Sequence, residues 1–586
     1  MVSKTRVLLE KSLEVIRVYG LSYFLRVASN ELSKQKFDLF RNPTEDYYFQ
    51  LESKTESQDA LYRKYMKNFE LEISENILQY KNELLEINPK FSIVVIASQD
   101  NVEQIDMTIK TIQEQIYSNH EIIVLYDKLD NSFFDNKKES HQNITYISTI
   151  TDLQKNFNGD YICFLQSGDK LSKNSLFKVS QFLNKNIDSD VVYTDHDYFD
   201  ENNLRINPFF KPDWSSYLFD SVDYISQFLV TKKEIFNKIQ LGDDFTNLKY
   251  YISKKIIESS NKIGHIASPL YSINYELISK NHSENNKNST FEKTKIINDL
   301  HSLNKSIEFN LKNEPLVTII IPTRNNQNIL ERCIKSITKS TTYKNFEIII
   351  VDNNSTDSNL KQYYASLPYM ILNYDGLFNF SKMNNLAVKH AKGDFFLFLN
   401  DDTKILKDDW LNNLVSLCNQ NDVGVVGPKL ILTNHTIQHA GSIILESGAS
   451  FHPFQNIAED SHIHFNFLNV IRECSAVTGA CLITKKEIFN EINGFDEDFD
   501  VYYGDTDLCL KIIDLGFKIL YTPYTKLIHE GSHSIKAKMQ SNTLEEQAHF
   551  AVENYYHFIT KWPKLKNGDQ FYNRNLGWDY SIKSIE

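Results

Sequence analysis

An α/β protein of two tandem domains, each a mostly parallel sheet flanked by helices, is what the 586 residues predict. Three observations carry this. Short apolar runs alternate with amphipathic stretches of helix length, the pattern of βαβ units and a parallel sheet. The alternation occurs twice at a nearly constant offset: Ala97 and Pro322 stand 225 residues apart, Gly159 and Gly393 stand 234 apart. Each series then reaches a Gly-Asp pair, an apolar run and an acidic turn, GDYICFLQSGD at 159–169 and GDFFLFLNDDT at 393–403.

Taken in order, the chain opens with a basic segment. Leu9, Leu13, Ile16, Phe24 and Val27 recur at helical spacings among Lys4, Arg6, Lys11, Arg17 and Arg26. Such a helix either docks on the first domain or rests on an anionic membrane surface. Residues 91–97 (FSIVVIA) read as a strand buried on both faces, 103–116 as a helix and 121–126 (EIIVLY) as a second strand. Residues 279–294, rich in Asn, Lys and Ser, read as a linker, with a short helix over 292–309. The order then repeats, with a strand at 316–321 (LVTIII), a helix at 328–339 and strands at 347–351 and 395–399. A last helix over 543–560 stops near Trp562-Pro563, before a short tail. The expected division is a helical region at 1–87, a first domain at 88–278, a linker at 279–313, a second domain at 314–540 and a helix with tail at 541–586.

Composition narrows the function. A net charge of −13 argues against a nucleic-acid coat, which needs clustered Lys and Arg. Six cysteines without a CxxC pair fit buried thiols in a reducing compartment better than a disulfide framework. No apolar run reaches the roughly 18 residues that span a bilayer, and the start lacks a signal-peptide pattern.

The second domain concentrates the chemistry. Pro322-Thr323-Arg324-Asn325 closes its first strand, Asp352-Asn353-Asn354-Ser355-Thr356-Asp357 its second, and Asn400-Asp401-Asp402 its third. Parallel strands bring these ends to one sheet edge, where open α/β folds bind ligands. Each cluster alone reads equally as turn chemistry. Tyr503-Gly504-Asp505-Thr506-Asp507 opens a further helix, where the dipole favours a carboxylate, and one of the two aspartates is expected to cap it. His529 follows a strand beginning near Ile519 and is a metal-ligand candidate.

Together these stretches resemble the glycosyltransferase family 2 enzymes, in particular bacterial surface-polysaccharide and O-antigen transferases with two tandem domains. The resemblance rests on VTIIIPTRN (317–325), IIIVDNNSTD (348–357), FNFSKMNN (378–385), GDFFLFLNDDT (393–403), IQHAG (437–441), AVTGACLI (476–483), GFDEDF (494–499), YGDTDLCLK (503–511) and HEGSHS (529–534). It implies two GT-A domains, Rossmann-like with a mostly parallel sheet, the second of them catalytic. It implies an inverting, metal-dependent transfer of a sugar from a nucleotide-sugar donor to a growing glycan or lipid-linked oligosaccharide, at the cytoplasmic face of the membrane. By the same resemblance, Pro322, Thr323, Asn325, Asp352, Asn400 and Asp401 lie with the donor nucleotide, while Asp402 and His529 hold Mn²⁺ or Mg²⁺. Asp505 is the base, and Asp507 supports the helix. A Glu often precedes that base in the family; here Gly504 stands there.

The first domain departs from this pattern. Ala97-Ser98-Gln99-Asp100 replaces the PTRN stretch, no NNSTD-like loop follows Asp127, and Gly168 stands against Asp402. Aligning Ser268-Pro269 with Thr522-Pro523 predicts Tyr251 at the place of Asp505 and Tyr275 at that of His529. A domain kept for packing or acceptor binding is the expectation. Against hypotheses of another class, a non-catalytic carbohydrate-binding protein would not need so complete a polar set in the second domain. A pyrophosphorylase would want a glycine-rich loop that PTRNNQN lacks, and a dehydrogenase would want GxGxxG after a strand.

Overall fold

The computed structural model describes residues 43–83, 85–97, 101–126, 143–241, 248–279, 311, 313–461, 463–530, 544–577 and 580–583. The basic segment up to Val27, the 292–309 helix, Ser98, Gln99, Asp100, Asp127 and residues 531–534 lie outside them. The chain divides into two compact units, one built mainly from residues 52–306 and the other mainly from 307–461 and 467–571.

The first unit holds a nine-stranded sheet. Its strands are β1 (Phe91–Ala97), β2 (His120–Tyr126), β3 (Ile144–Ile147), β4 (Tyr161–Gln166), β5 (Lys170–Leu171), β6 (Val191–Phe199), β7 (Arg205–Phe209), β8 (Leu229–Lys232) and β9 (Ile263–Asn274). They lie in the order β3-β2-β1-β4-β8-β6-β9-β5, with β7 on β6. Every side chain of β1 is buried, Ser92 included, as expected of an interior strand of a parallel sheet. The helix Pro43–Asn82 packs on this unit through Tyr62, Met66, Phe69, Ile73 and Tyr80. Tyr62 donates to the buried Asp197, which also pairs with Arg205.

The second unit holds β10 (Val317–Thr323), β11 (Phe346–Asp352), β12 (Met370–Asn373), β13 (Phe395–Leu399), β14 (Thr403–Ile405), β15 (Val423–Ile431), β16 (Ile437–His439), the hairpin β17 (Ile443–Ile444) and β18 (Ser450–Phe451), β19 (Arg472–Glu473), β20 (Cys481–Lys485) and β21 (Lys518–His529). The main sheet runs β12-β11-β10-β13-β20-β15-β21-β14, with β16 on β15 and β19 on β21. Strand for strand this is the order of the first sheet; the hairpin and β19 are additions. Both sheets are parallel through their first four strands, and each turns antiparallel at the next, β8 or β20.

The same local devices recur in both. A Cβ on Gly393 would come 2.5 Å from the Thr318 amide nitrogen, and one on Gly159 would come 2.5 Å from that of Ser92, so the sheet admits only glycine at either place. The Thr318 hydroxyl donates to Glu347 at 2.7 Å, and the Ser92 hydroxyl donates to Glu121 at 2.5 Å. Asp394 accepts from the Leu316 amide as Asp160 does from that of Lys90.

Helices cover the second sheet for the same reason. Gln327–Lys339 buries Ile329, Leu330, Cys333, Ile334 and Ile337, one stripe at helical spacing. Each such side chain removed from water contributes about 1.5–3 kcal/mol. The expected C-terminal helix is Leu544–Lys561. All six cysteines are buried thiols.

Candidate active site

Parallel register sets the site. Thr323 at the end of β10 stands beside Asp352 at the end of β11, and β13 lies on the other side of β10. The three polar turns therefore leave one edge of the sheet. Pro322 lies inside β10, opposite Val351. Thr323 donates its hydroxyl to Asp401 Oδ2 at 2.7 Å. Burial pushes the Asp401 carboxyl up to about 7; the Thr323 bond works against that rise and the neighbouring Asp402 adds to it.

Asp352 accepts from the Tyr364 hydroxyl at 2.8 Å and from the Ser355 amide at 3.2 Å. Asn325, in the left-handed region at φ 50°, ties two loops together: its Oδ1 accepts from the Thr356 amide at 2.6 Å, and its own amide donates to Ser355. Asn325 thus reaches the β11 loop, a contact that PTRN alone does not reveal.

His529 ends β21 opposite Thr403, the residue after Asp402. Its Nδ1 lies 2.5 Å from Gln438 Oε1, an oxygen that can only accept, so the ring proton is on Nδ1. His529 Nε2 lies 2.9 Å from Asp402 Oδ1, with the Asn400 side chain at 3.4 Å. Two acceptors at that separation need a proton or a cation between them. An imidazole and a carboxylate are donors that suit Mn²⁺ at least as well as Mg²⁺, so the residues present fit a divalent cation. Gln438 orients the imidazole as outer partners of metal-binding histidines do.

Asp505 lies in the first turn of the helix Gly504–Asp514 and is half-buried. Oδ2 accepts from the Gly479 amide at 2.7 Å and Oδ1 from the Thr506 amide at 2.8 Å. The turn that presents it is strained, with Tyr503 at φ 65°. Ser381 braces the preceding loop through the Phe499 carbonyl, while Asn379 reaches Glu497 and Asn385 reaches Phe495. These bonds explain the FNFSKMNN and GFDEDF stretches as supports.

Neither aspartate caps this helix as expected: the N-cap residue is Tyr503, which makes no side-chain cap. Asp507 is fully buried instead. It accepts from the Trp562 indole at 2.9 Å and pairs with Lys561 at 2.8 Å, anchoring the C-terminal helix.

The equivalent positions of the first unit differ from the expectation. Leu171 pairs with Tyr271 as Ile405 pairs with Leu527, so Ile273, not Tyr275, occupies the place of His529. The same offset carried into the helix Leu248–Glu258 puts Lys249, not Tyr251, at the place of Asp505. Ser268-Pro269 misled because the strands bulge there: β6 and β9 shift register between Thr194 and His196, and β15 and β21 between Pro428 and Lys429. Lys249 donates to the Tyr271 hydroxyl at 2.8 Å, and Tyr271 donates to Asp169. Burial lowers Lys249 to about 8 against the pull of Asp169.

Sequence reasoning gave no role to Gln438, His439, His452 or the Gly479 amide. The IQHAG stretch was the available signal for the first two.

Residues 318–476 match the family model for glycosyl transferase family 2. The chain is 31% identical over 439 residues to the O-antigen biosynthesis protein RfbC of Myxococcus xanthus, covering 71% of this chain and 34% of that protein. It is 36% identical over 124 residues to the GalNAc(5)-diNAcBac-PP-undecaprenol β-1,3-glucosyltransferase of Campylobacter jejuni subsp. jejuni serotype O:2, covering 20% of this chain and 39% of the other. The chain thus spans about a third of the length of these two relatives. Among solved structures, the mannosyltransferase PcManGT from Pyrobaculum calidifontis, in complex with GDP-Man and Mn²⁺, aligns with 19% identity over 44% of this chain and 75% of that one, at a TM-score of 0.30. The second unit carries a glycosyltransferase family 2 domain.

Proposed function

We propose that the chain is an inverting, metal-dependent glycosyltransferase of surface-glycan synthesis, with its chemistry in the second unit. The observation that carries this reading is the placement of Asp402 and His529 at one sheet edge, in the same unit as a partly exposed Asp505 held by backbone amides. Thr323, Asn325, Asp352, Asn400 and Asp401 form the nucleotide side of that edge. Asp402 and His529 are the residues that would hold the cation. When bound, the cation offsets charge developing on the leaving diphosphate.

Asp505 takes the proton of the acceptor hydroxyl as its oxygen attacks the anomeric carbon. The new carbon–oxygen bond forms while the bond to the donor phosphate breaks, and the nucleoside diphosphate leaves with that electron pair. A single displacement inverts the anomeric centre. Amides on both Asp505 oxygens fix its direction before the acceptor arrives.

The similarity to a transferase named for an undecaprenol-linked substrate favours a lipid-linked acceptor. In this reading the enzyme works at the cytoplasmic face, where nucleotide sugars are supplied. Among the described residues no helix is long and apolar enough to cross a membrane. The two units are a tandem pair of which the first does not transfer sugar. The deciding experiment is a Mn²⁺-dependent screen for nucleoside diphosphate release over a panel of nucleotide sugars. Release by the native chain, lost in Asp402→Ala and Asp505→Ala, is expected; no release from any donor overturns the proposal.

A further inference from the structure

Two histidines of the second unit have no part in the steps above. His439 ends β16 and is buried; His452 follows β18 and is half-buried. Their rings cross at 79°, with Nδ1 2.7 Å from Nδ1. Two such nitrogens at hydrogen-bond distance share one proton.

The remaining nitrogens decide which ring carries it. His439 Nε2 accepts from the Gly441 amide at 3.2 Å and from the Thr478 amide at 3.4 Å, so it bears a lone pair. Burial, aided by His452 and Arg472, holds His439 well below the ordinary histidine range, and it is neutral. Its single proton is therefore on Nδ1 and is donated to His452. Burial also lowers His452, whose own proton is then on Nε2. That N–H has no partner among the described residues. With Nδ1 occupied and Nε2 protonated, His452 has no lone pair to offer a metal. It is a fixed, uncharged donor.

The same stretch of chain holds the base. The amide after Thr478 is that of Gly479, which donates to Asp505 Oδ2. One backbone step therefore aligns His439 and Asp505, and the Asp505 charge reaches His452. The hairpin that carries His452 is fastened from outside: Asp569 accepts from the Ile444 amide at 2.8 Å, and the Tyr555 hydroxyl donates to the Ser447 carbonyl at 2.7 Å.

We propose that His452 binds the acceptor sugar, its Nε2–H donating to a hydroxyl oxygen next to the one Asp505 deprotonates, with His439 as the positioning residue that sets its tautomer. This rests on the transferase reading above. It predicts acceptors with an oxygen substituent on the carbon adjacent to the attacked hydroxyl.

The test uses the full chain with ¹⁵N-labelled histidine and Mn²⁺, and as probes the methyl glycosides of glucose, galactose, N-acetylglucosamine and rhamnose. Long-range ¹H–¹⁵N spectra at pH 7 should show His439 as Nδ1–H and His452 as Nε2–H, with a glycoside shifting the His452 Nε2 signal. In transfer assays His452→Phe should raise the glycoside KM about tenfold, the worth of one neutral hydrogen bond, with a much smaller change in kcat. His452→Gln, which keeps an N–H donor, should restore most of that loss. A protonated or Nδ1–H His452, a signal that no glycoside moves, or a loss in kcat at unchanged KM overturns the inference. A native chain that hydrolyses no nucleotide sugar overturns the transferase reading instead, and the tautomers and glycoside shifts still decide this one.

Discussion

The two units share a strand order and the same Gly-Asp turn, yet they treat their acidic residues in opposite ways. In the first, Asp169 accepts from Tyr271 and from the Asn274 amide, with Lys249 behind Tyr271. The charges close on one another. In the second, the half-buried Asp505 is held by two amides, and Asp402 faces the His529 imidazole. Backbone amides orient a carboxylate without neutralising it, whereas a lysine ammonium neutralises it. The same topology can therefore hold its acidic residues in different states through a few side chains.

The largest test of this contrast is at the two equivalent helix positions. Asp505→Asn should lower transfer about 10³-fold by removing the base, while Lys249→Met should leave the rate within about twofold. A comparable loss in both variants, measured with the donor found by screening, would break the comparison.

Next in size is Asp507. Replacement by Ala leaves the Trp562 indole without its acceptor and Lys561 with Asp496 alone, and should cost about 1–3 kcal/mol in chemical denaturation. Cation binding, measured by calorimetry, should stay near native. If Asp507→Ala instead abolished Mn²⁺ binding with the fold intact, Asp507 would be a ligand and not an anchor.

Gln438→Leu should weaken Mn²⁺ binding about 10- to 100-fold, because the His529 ring loses the acceptor that fixes its proton on Nδ1. An unchanged calorimetric affinity would remove Gln438 from the site.

The smallest expected effect lies in the first unit and depends on pH. Burial disfavours charge on His265, but Asp195 at 2.9 Å and Asp213 at 2.8 Å outweigh it and hold its pKa above the usual histidine value. A pKa raised on folding gives stability that is complete below the unfolded value of about 6.5 and fades as pH rises through the folded value. His265→Gln should therefore cost about 1–3 kcal/mol at pH 6 and less at pH 9. A cost that grows with pH, in denaturation midpoints measured at both, would reverse the assignment.

Much of the fold was legible because apolar runs and helical stripes are local signals. FSIVVIA and VTIIIPT are strands because they must be buried on both faces, and Asp402 falls at a sheet edge because it follows such a run. The counterparts of Asp505 and His529 in the first unit were misread by two residues. Sequence spacing cannot show where a bulge falls; the strand registers locate it, and the pairing of Leu171 with Tyr271 and Ile405 with Leu527 fixes the correspondence. The sequence by itself determined which polar residues end the strands, since periodicity and turn chemistry suffice for that. Only the tertiary structure decided which of them meet: the Gln438–His529 bond spans 91 residues and the Thr323–Asp401 bond 78. Hydrogen-bond partners so far apart in the chain are chosen by how strands pair across a sheet, and no local pattern encodes that choice.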